Sequence, residues 1–185
     1  MKMLVLCGSR NPEGQTAKAA QGLMHGVIGK NGQAEIVLLP TLAIERCRQC
    51  DDSGWGICIK EGKCIIEDDF AGLVERVKGA DVVAFATPVY FSDLSESMRA
   101  FLDRLRRTCC NEVGRASIAD KQAIGICVAG GGGGGAPACC ASLDKVLATC
   151  GFNVVDLIPV RRQNLIAKLG VLKAIGEWLA QGASE

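Results

Sequence analysis

The chain has 185 residues, 49% of them hydrophobic and 22% charged, with 21 Lys+Arg against 20 Asp+Glu for a formal net charge of +1. That length holds one domain with a full core, and the apolar content excludes a disordered chain. Near-neutrality excludes a chain-wide attraction to nucleic acid or membrane surfaces, and the longest apolar runs, 81–90 and 123–129, are too short to cross a bilayer.

Residues 3–7 read as a continuous apolar strand that meets Gly8-Ser9-Arg10 at once, too soon for a secretory leader. A reducing, cytoplasmic compartment is therefore expected. In it, eleven cysteines point to metal, cluster or redox roles rather than disulfides. Helical periodicity over 15–29 is followed by a second strand at 35–39, ended by Pro40. A helix is predicted over 68–78, with Phe70, Leu73, Val74 and Val77 on one face and Asp68 placed to cap it. A strand at 81–86, a helix at 94–107, a strand at 122–128, a helix at 137–150 closed by Gly151, a strand at 152–158 and a helix at 163–181 complete the series. Strands apolar on both faces and separated by helices indicate a parallel sheet covered on both sides, with one domain over 1–185. In a doubly wound sheet, ligands bind beyond the carboxyl ends of the strands. Cys7, Cys127 and Cys150, in or beside apolar runs, read as small buried hydrophobes.

Three irregular segments follow strands: 8–16, 87–92 and 130–135. The first offers hydroxyls at Ser9 and Thr16, amides at Asn11 and Gln15, a cation at Arg10 and the N–H groups of a helix start, a set suited to a phosphate monoester. It is not a Walker loop, because five residues separate Gly8 from Gly14 and Gln15 stands where Lys is needed. It lacks the Gly-x-Gly-x-x-Gly of dinucleotide binding, and Glu13 occupies the Arg position of a Cys-x5-Arg phosphatase loop.

Taken together, Gly8-Ser9-x5-Gln15-Thr16-Ala17, Cys47-x2-Cys50…Cys64-x3-Asp68-Asp69, Thr87-Pro88-Val89-Tyr90-Phe91 and Phe101-Leu102-Asp103-Arg104 resemble the flavodoxin-like NADPH-dependent FMN reductase and iron–sulfur flavoprotein family. The resemblance implies a five-stranded parallel sheet of order 2-1-3-4-5 with a cysteine-rich insertion after the second strand. It implies FMN as cofactor and NAD(P)H as candidate reductant. Ser9, Arg10, Gln15 and Thr16 would hold the phosphate, and Pro88, Val89, Tyr90, Phe91 and Ser92 would wrap the ring. Gly130 and Gly131 would line its other side. Gln15 departs from the family's usual Asn by one methylene. Independently of the family, a flavin needs a flat apolar wall with N–H donors near its ring nitrogens. A segment ending a buried strand with Pro88 suits that need. The run of six glycines from Gly130 permits close backbone approach, and its later members read as a loose connection.

The segment 41–66 contains Cys47, Cys50, Cys58 and Cys64, spaced Cys-x2-Cys-x7-Cys-x5-Cys. Four thiolates this close in sequence can ligate a [4Fe–4S] cluster or a zinc ion, or remain free redox-active thiols. The resemblance implies Cys-x2-Cys-x2-Cys-x5-Cys for a cluster, so the middle gap here is five residues longer and Ser53 stands at the expected third ligand. Vicinal Cys109-Cys110 and Cys139-Cys140 bridge poorly within each pair. His25, the single histidine, is expected at the surface, which argues against triad hydrolysis. Asp103 and Arg104 read from the residues alone as a surface or interface charge pair.

Three functions compete on this reading: a flavin-dependent oxidoreductase acting on a small acceptor such as a flavin or quinone, an electron carrier between partner proteins, and a metal or redox sensor. Partners are a small-molecule acceptor or a redox protein, with no nucleic acid and no membrane. The long segment 41–66, bearing Trp55 and Ile57, predicts a homodimer or homotetramer in which it covers a neighbour.

Overall fold

A computed structural model describes residues 1–182. Five strands, β1 (Lys2–Cys7), β2 (Gln33–Leu38), β3 (Val82–Pro88), β4 (Gln122–Ala129) and β5 (Asn153–Arg161), form one sheet of order β2-β1-β3-β4-β5. Every pairing is parallel. The order reverses direction between β1 and β3, which creates a crevice at their carboxyl ends.

The helices are α1 (Gln15–Gly29), α2 (Ile57–Glu61), α3 (Phe70–Lys78), α4 (Glu96–Thr108), α5 (Glu112–Ala116), α6 (Ala136–Cys150) and α7 (Leu165–Ala180). Alternation along β1 sends Met3, Val5 and Cys7 into one apolar layer with Leu23 and Val27 of α1 and Leu172 and Leu179 of α7. Leu4 and Leu6 enter the opposite layer with residues of α3, α4 and α6.

Most predicted elements differ from the observed ones only at their ends. The strands at 81–86 and 152–158 run on to Pro88 and Arg161, carrying the ladder to the rim of the crevice. The second strand starts earlier, at Gln33, and stops at Leu38, because Leu39–Thr41 turns into a short 3-10 helix around Pro40. The short α2 and α5 lie where no helix was predicted, each a single turn or little more. Asp68 does accept the Phe70 backbone N–H at 3.0 Å, but it lies outside the helix it was expected to cap and has a second partner described below.

Cys7, Cys127 and Cys150 are fully buried, as expected, and His25 is exposed. The neighbouring Cys139 and Cys140 thiols, together with burial, push the Cys127 thiol far up, so it stays protonated and behaves as an apolar filler.

Candidate functional site

The crevice at the carboxyl ends of β1, β3 and β4 opens into a cleft of about 390 Å³ lined by Gln15, Thr16, Pro88, Val89, Tyr90, Val128, Ala129, Gly130, Gly131 and Gly134. Seven of the eleven sequence-predicted cofactor residues line it. Ser9, Arg10, Phe91 and Ser92 do not.

The first wall is the β1–α1 loop. Gly8 N–H donates to the Ala86 carbonyl at 2.8 Å and extends the sheet by one residue. A Cβ on Gly8 would stand 2.4 Å from Ser95 Oγ, so glycine is required for α4 to approach. Beyond it, Asn11 rather than Ser9 organises the loop: its side-chain oxygen accepts the Glu13 N–H at 2.9 Å and its carbonyl accepts the Gly14 N–H at 3.1 Å. Ser9 Oγ accepts from Asn11 N–H at 3.3 Å and is already part of this local network. Helix α1 has no side-chain cap and no acidic residue in its first turn, leaving its leading N–H groups directed out of the helix start. Gln15 Oε1 is buried beside them with no hydrogen-bond partner. A buried polar atom in that state is open to a hydrogen bond from a ligand group or an ordered water.

The second wall follows β3. Val89 N–H donates to the Val128 carbonyl at 3.0 Å, and the chain then reverses. Tyr90 and Asp93 exchange both backbone hydrogen bonds, at 3.0 and 2.9 Å. The two residues between them, Phe91 and Ser92, have φ of 49° and 66°. Positive φ at both central positions is the hallmark of a tight hairpin turn that normally selects Asn and Gly. A bulky Phe in this region is an outlier that its surroundings must hold in place. Arg99 of α4 does so by gripping the Asp93 carboxylate with one guanidinium nitrogen. Phe91 consequently stands fully exposed at the tip, with Tyr90 half exposed below it.

The third wall is the glycine run. Its later members are not a loose connection. Gly135 has φ of +81°, and a Cβ there would meet Ser92 Oγ at 2.6 Å, so it clamps the hairpin turn against the start of α6. Gly131 accepts from Gln163 Nε2 at 3.1 Å, which ties the run to the end of β5.

Helix α4 leads away from this cleft. Its cleft end is bound through Ser95, whose N–H donates to Thr87 Oγ1 at 3.1 Å, and Ser97, whose hydroxyl donates to the Gly8 carbonyl at 3.3 Å. Met98, Phe101, Leu102 and Leu105 seat it in the core. Arg104 is buried as well, which corrects the expectation of a surface charge pair with Asp103. Asp103 pairs with Arg106 at 3.2 Å, whereas Arg104 grips Asp68 through both terminal nitrogens at 2.6 and 3.0 Å. The side chains of Arg104 and Asp68 are 1% and 6% exposed. Arg104 also donates to the carbonyls of Glu45 and Ile66, and it lies over the Phe70 ring at 4.2 Å. Burial opposes its charge, and the Asp68 carboxylate and then the Cys64 sulfur outweigh that, so its pKa stays above the ordinary guanidinium value. Burial likewise raises Asp68, but its hydrogen bonds from Arg104 and from the Glu45 and Phe70 N–H groups hold its carboxyl below the usual range.

Around this pair the cysteine segment folds back onto its own domain. Arg107 of α4 donates to the Gly54 carbonyl and lies 4.1 Å over the Trp55 ring. Trp55 thus packs on α4 of its own chain. Cys47, Cys50, Cys58 and Cys64 all line one narrow cavity of about 20 Å³, together with Arg48, Arg104, Arg107 and apolar Ile57, Ile65 and Ile66. No three Cys, His, Asp or Glu side chains among the described residues converge on a single-ion position. All eleven cysteines are free thiols.

Sequence reasoning missed Val128, Ala129 and Gly134 in the cleft and Arg104 and Arg107 in the cavity. The first three sit next to predicted residues and needed only the true ends of β4 and the glycine run. Arg104 carried one signal, a cation set among Phe101, Leu102 and Leu105 on the apolar side of a helix, while its partner Asp68 is 36 residues away.

The NADPH-dependent FMN reductase family model matches residues 1–162. The chain is 29% identical over 106 residues to an iron–sulfur flavoprotein of Methanocaldococcus jannaschii, covering 57% of this chain and 52% of that protein. It is 28% identical over 123 residues to an iron–sulfur flavoprotein of Methanosarcina thermophila, covering 63% and 61%. It spans about half the length of the first curated relatives it matches. Among solved structures, an NAD(P)H:quinone oxidoreductase from Methanothermobacter marburgensis superposes over 97% of this chain and 96% of its own, with TM-score 0.71 at 18% identity. A flavone reductase gives the same TM-score over 99% and 63%, at 19% identity. At these identities the superpositions establish a shared flavodoxin-like fold. With its parallel sheet, its crevice beyond β1 and β3 and a family match over most of its length, the chain belongs to the NADPH-dependent FMN reductase family.

Proposed function

We propose that this chain is an FMN-dependent oxidoreductase that draws electrons from NAD(P)H and passes them to a small acceptor such as a quinone or flavin. The observation that carries the proposal is the unpartnered, buried Gln15 Oε1 beside the uncapped start of α1, at one end of a flat-walled cleft. Those groups fit a phosphate ester and the first ribityl hydroxyls: a helix start offers N–H donors to the anion, and a side-chain amide serves as acceptor or, turned over, as donor.

Bound FMN would supply the electron chemistry, taking two electrons from a nicotinamide and releasing them to the acceptor. The chain's own residues bind and position. Gln15, Thr16 and the α1 N–H groups hold the phosphate end, and exposed Arg10 supplies a cation that can close over it. Ser9 shapes the loop through its bonds to Asn11. Pro88, Val89 and Tyr90 present backbone groups and one aromatic face to the ring, with Phe91 and Ser92 at the turn beyond the cleft lining, while Gly130 and Gly131 let the opposite wall come close. Apart from the Tyr90 phenol, the cleft lining holds no carboxylate, imidazole, ammonium or thiol, so the protein's main contribution is orientation and electrostatics. Mixing the FMN-loaded protein anaerobically with NADPH should bleach the flavin absorbance, and a quinone should restore it. Persistent colour with both NADPH and NADH would overturn the oxidoreductase reading.

The cavity lined by all four predicted cysteines favours a second reading, in which an iron–sulfur cluster makes the chain an electron carrier as well. A zinc ion requires four ligands within about 2.3 Å of one point, and no three candidate ligands here converge that way. A cubane cluster spreads its thiolates over four corners, and the donor set of four sulfurs, three guanidiniums and an apolar wall suits its negative charge. Cys47, Cys50, Cys58 and Cys64 would hold it, with the segment 41–66 opening around it because ligation energy is folding energy for such a loop. We further propose a reducing, cytoplasmic location, which the eleven free thiols support; no described helix is long and apolar enough to cross a membrane. The exposed aromatic tip of Tyr90 and Phe91 beside an open cleft supports a homodimer. A single species of monomer mass in sedimentation velocity across a wide concentration range would reject it.

A further inference from the structure

Among the residues that line the cleft beyond β1 and β3, Tyr90 alone carries a side chain able to give up a proton. It is also the single tyrosine of the chain. The other polar side chains of the lining, Gln15 and Thr16, stand at the start of α1. Tyr90 is held firmly by its backbone. Its N–H donates to the Asp93 carbonyl at 3.0 Å, and its own carbonyl accepts the Asp93 N–H at 2.9 Å. The preceding residue, Val89, is tied to Val128 across the sheet at 3.0 Å. The phenol, by contrast, makes no hydrogen bond to any described residue. The residue is half exposed, so it stands at the mouth of the cleft, between the lining and water. A wall that served only to cover a ring would need the aromatic face and no hydroxyl.

We infer that Tyr90 is a catalytic residue for the acceptor, its phenol donating a proton to the oxygen of a quinone-type carbonyl as the acceptor is reduced. This rests on the FMN-dependent oxidoreductase reading above, and it selects acceptors that need a proton on oxygen over those that take electrons alone. Hydride from the reduced flavin carries both electrons and one proton to the quinone. One quinone oxygen is then left as an oxyanion, and the hydroquinone still lacks one proton. The Tyr90 O–H bond breaks as a new O–H bond forms on that oxygen, and water at the exposed edge returns the proton to Tyr90. A donor fixed on a doubly pinned backbone needs no reorganisation when the charge develops, which is its advantage over a mobile water in the same place.

The test follows the reoxidation of FMN-loaded protein that has been photoreduced anaerobically, so that no nicotinamide is needed. Tyr90→Phe keeps the ring and removes the hydroxyl. It should slow reoxidation by menadione, a quinone, by about 10²-fold. Reoxidation by ferricyanide, which takes one electron at a time and no proton, should not change, and neither should FMN affinity. The solvent deuterium isotope effect on the menadione reaction should be present in the wild type and lost in the variant. A binding measurement stands beside the kinetics. Oxidised, FMN-loaded wild type labelled with 13C at tyrosine Cζ gives a single tyrosine resonance, and acetophenone, a carbonyl compound that the flavin does not reduce, should move it saturably.

An unchanged menadione rate in Tyr90→Phe, equal losses with menadione and ferricyanide, or a resonance that acetophenone leaves in place would overturn the inference and leave the FMN reading intact. Should Tyr90→Phe bind no FMN, the wild-type isotope effect and resonance decide. A wild type that binds no FMN would overturn the inference and the FMN reading together, and one that binds FMN but takes no electrons from NADPH or NADH would overturn the oxidoreductase reading by itself.

Discussion

The cleft beyond β1 and β3 and the cysteine cavity lie at opposite ends of α4 and are built by opposite means. The cleft is broad and made largely of backbone: the start of α1, the rim of β3 and the glycine run each present main-chain groups to a space of about 390 Å³. The cavity is narrow and made of side chains, four sulfurs and three guanidiniums around about 20 Å³. The cleft's shape depends on where the chain can turn, so it tolerates changes of side chain but not of backbone geometry. The cavity depends on a buried ion pair, so it tolerates little change at Arg104 or Asp68.

The largest expected effect breaks the cavity and spares the cleft. Arg104→Met leaves Asp68 buried without its counter-ion and should cost about 3–5 kcal/mol of stability. Denaturant titration should show the loss as a lower midpoint, while flavin affinity per folded molecule stays near wild type. Next comes the reverse perturbation. Thr16→Ala with Gln15→Ala should weaken FMN binding by about 1.5–3 kcal/mol for each charged hydrogen bond removed, with a much smaller change in the unfolding midpoint. Fluorescence titration against FMN measures it, and unchanged affinity would remove the α1 start from the site.

A smaller effect of the opposite sign is expected at the tip of the hairpin turn. Phe91→Gly relieves a left-handed Phe and should stabilise the fold by about 1 kcal/mol while weakening flavin binding. Strain that returns as stability when the aromatic ring is lost would show the turn to be held for function. Last, the buried ion pair gives the cavity a pH dependence. Asp68 titrates below its unfolded value near 3.9. Its contribution is therefore complete above that value and fades as pH falls through the depressed folded pKa. Stability of the wild type should drop below about pH 4 more steeply than that of Asp68→Asn, measured by urea midpoints across the acid range.

The two regions also differ in how far the sequence reveals them. The sheet was legible because strands such as 82–88 and 122–129 are apolar on both faces and each is followed by a helical period. The cleft was legible because Pro88 and the glycine run advertise special backbone at strand ends. Its hairpin turn was not, since Phe91 and Ser92 are poor residues for positive φ and only tertiary clamps by Gly135 and Arg99 hold them there. The four cysteines were visible as a spacing, but their convergence on one cavity was not, because α2 and the seven-residue gap are folded by Trp55 stacking beneath Arg107. The pairing of Arg104 with Asp68 was invisible for the same reason: it joins α4 to the segment that precedes α3 through a contact that no local period encodes.

On the proposed function, the cleft beyond β1 and β3 binds FMN by its phosphate end. Parallel equilibrium titrations of flavin-free protein with FMN and with riboflavin, which lacks only the phosphate, test it most directly. One FMN should bind per chain, with an affinity for riboflavin lower by at least about tenfold, the loss of about 1.4 kcal/mol or more from the α1 start. Equal affinity for the two flavins, or no saturable binding of FMN, would contradict it.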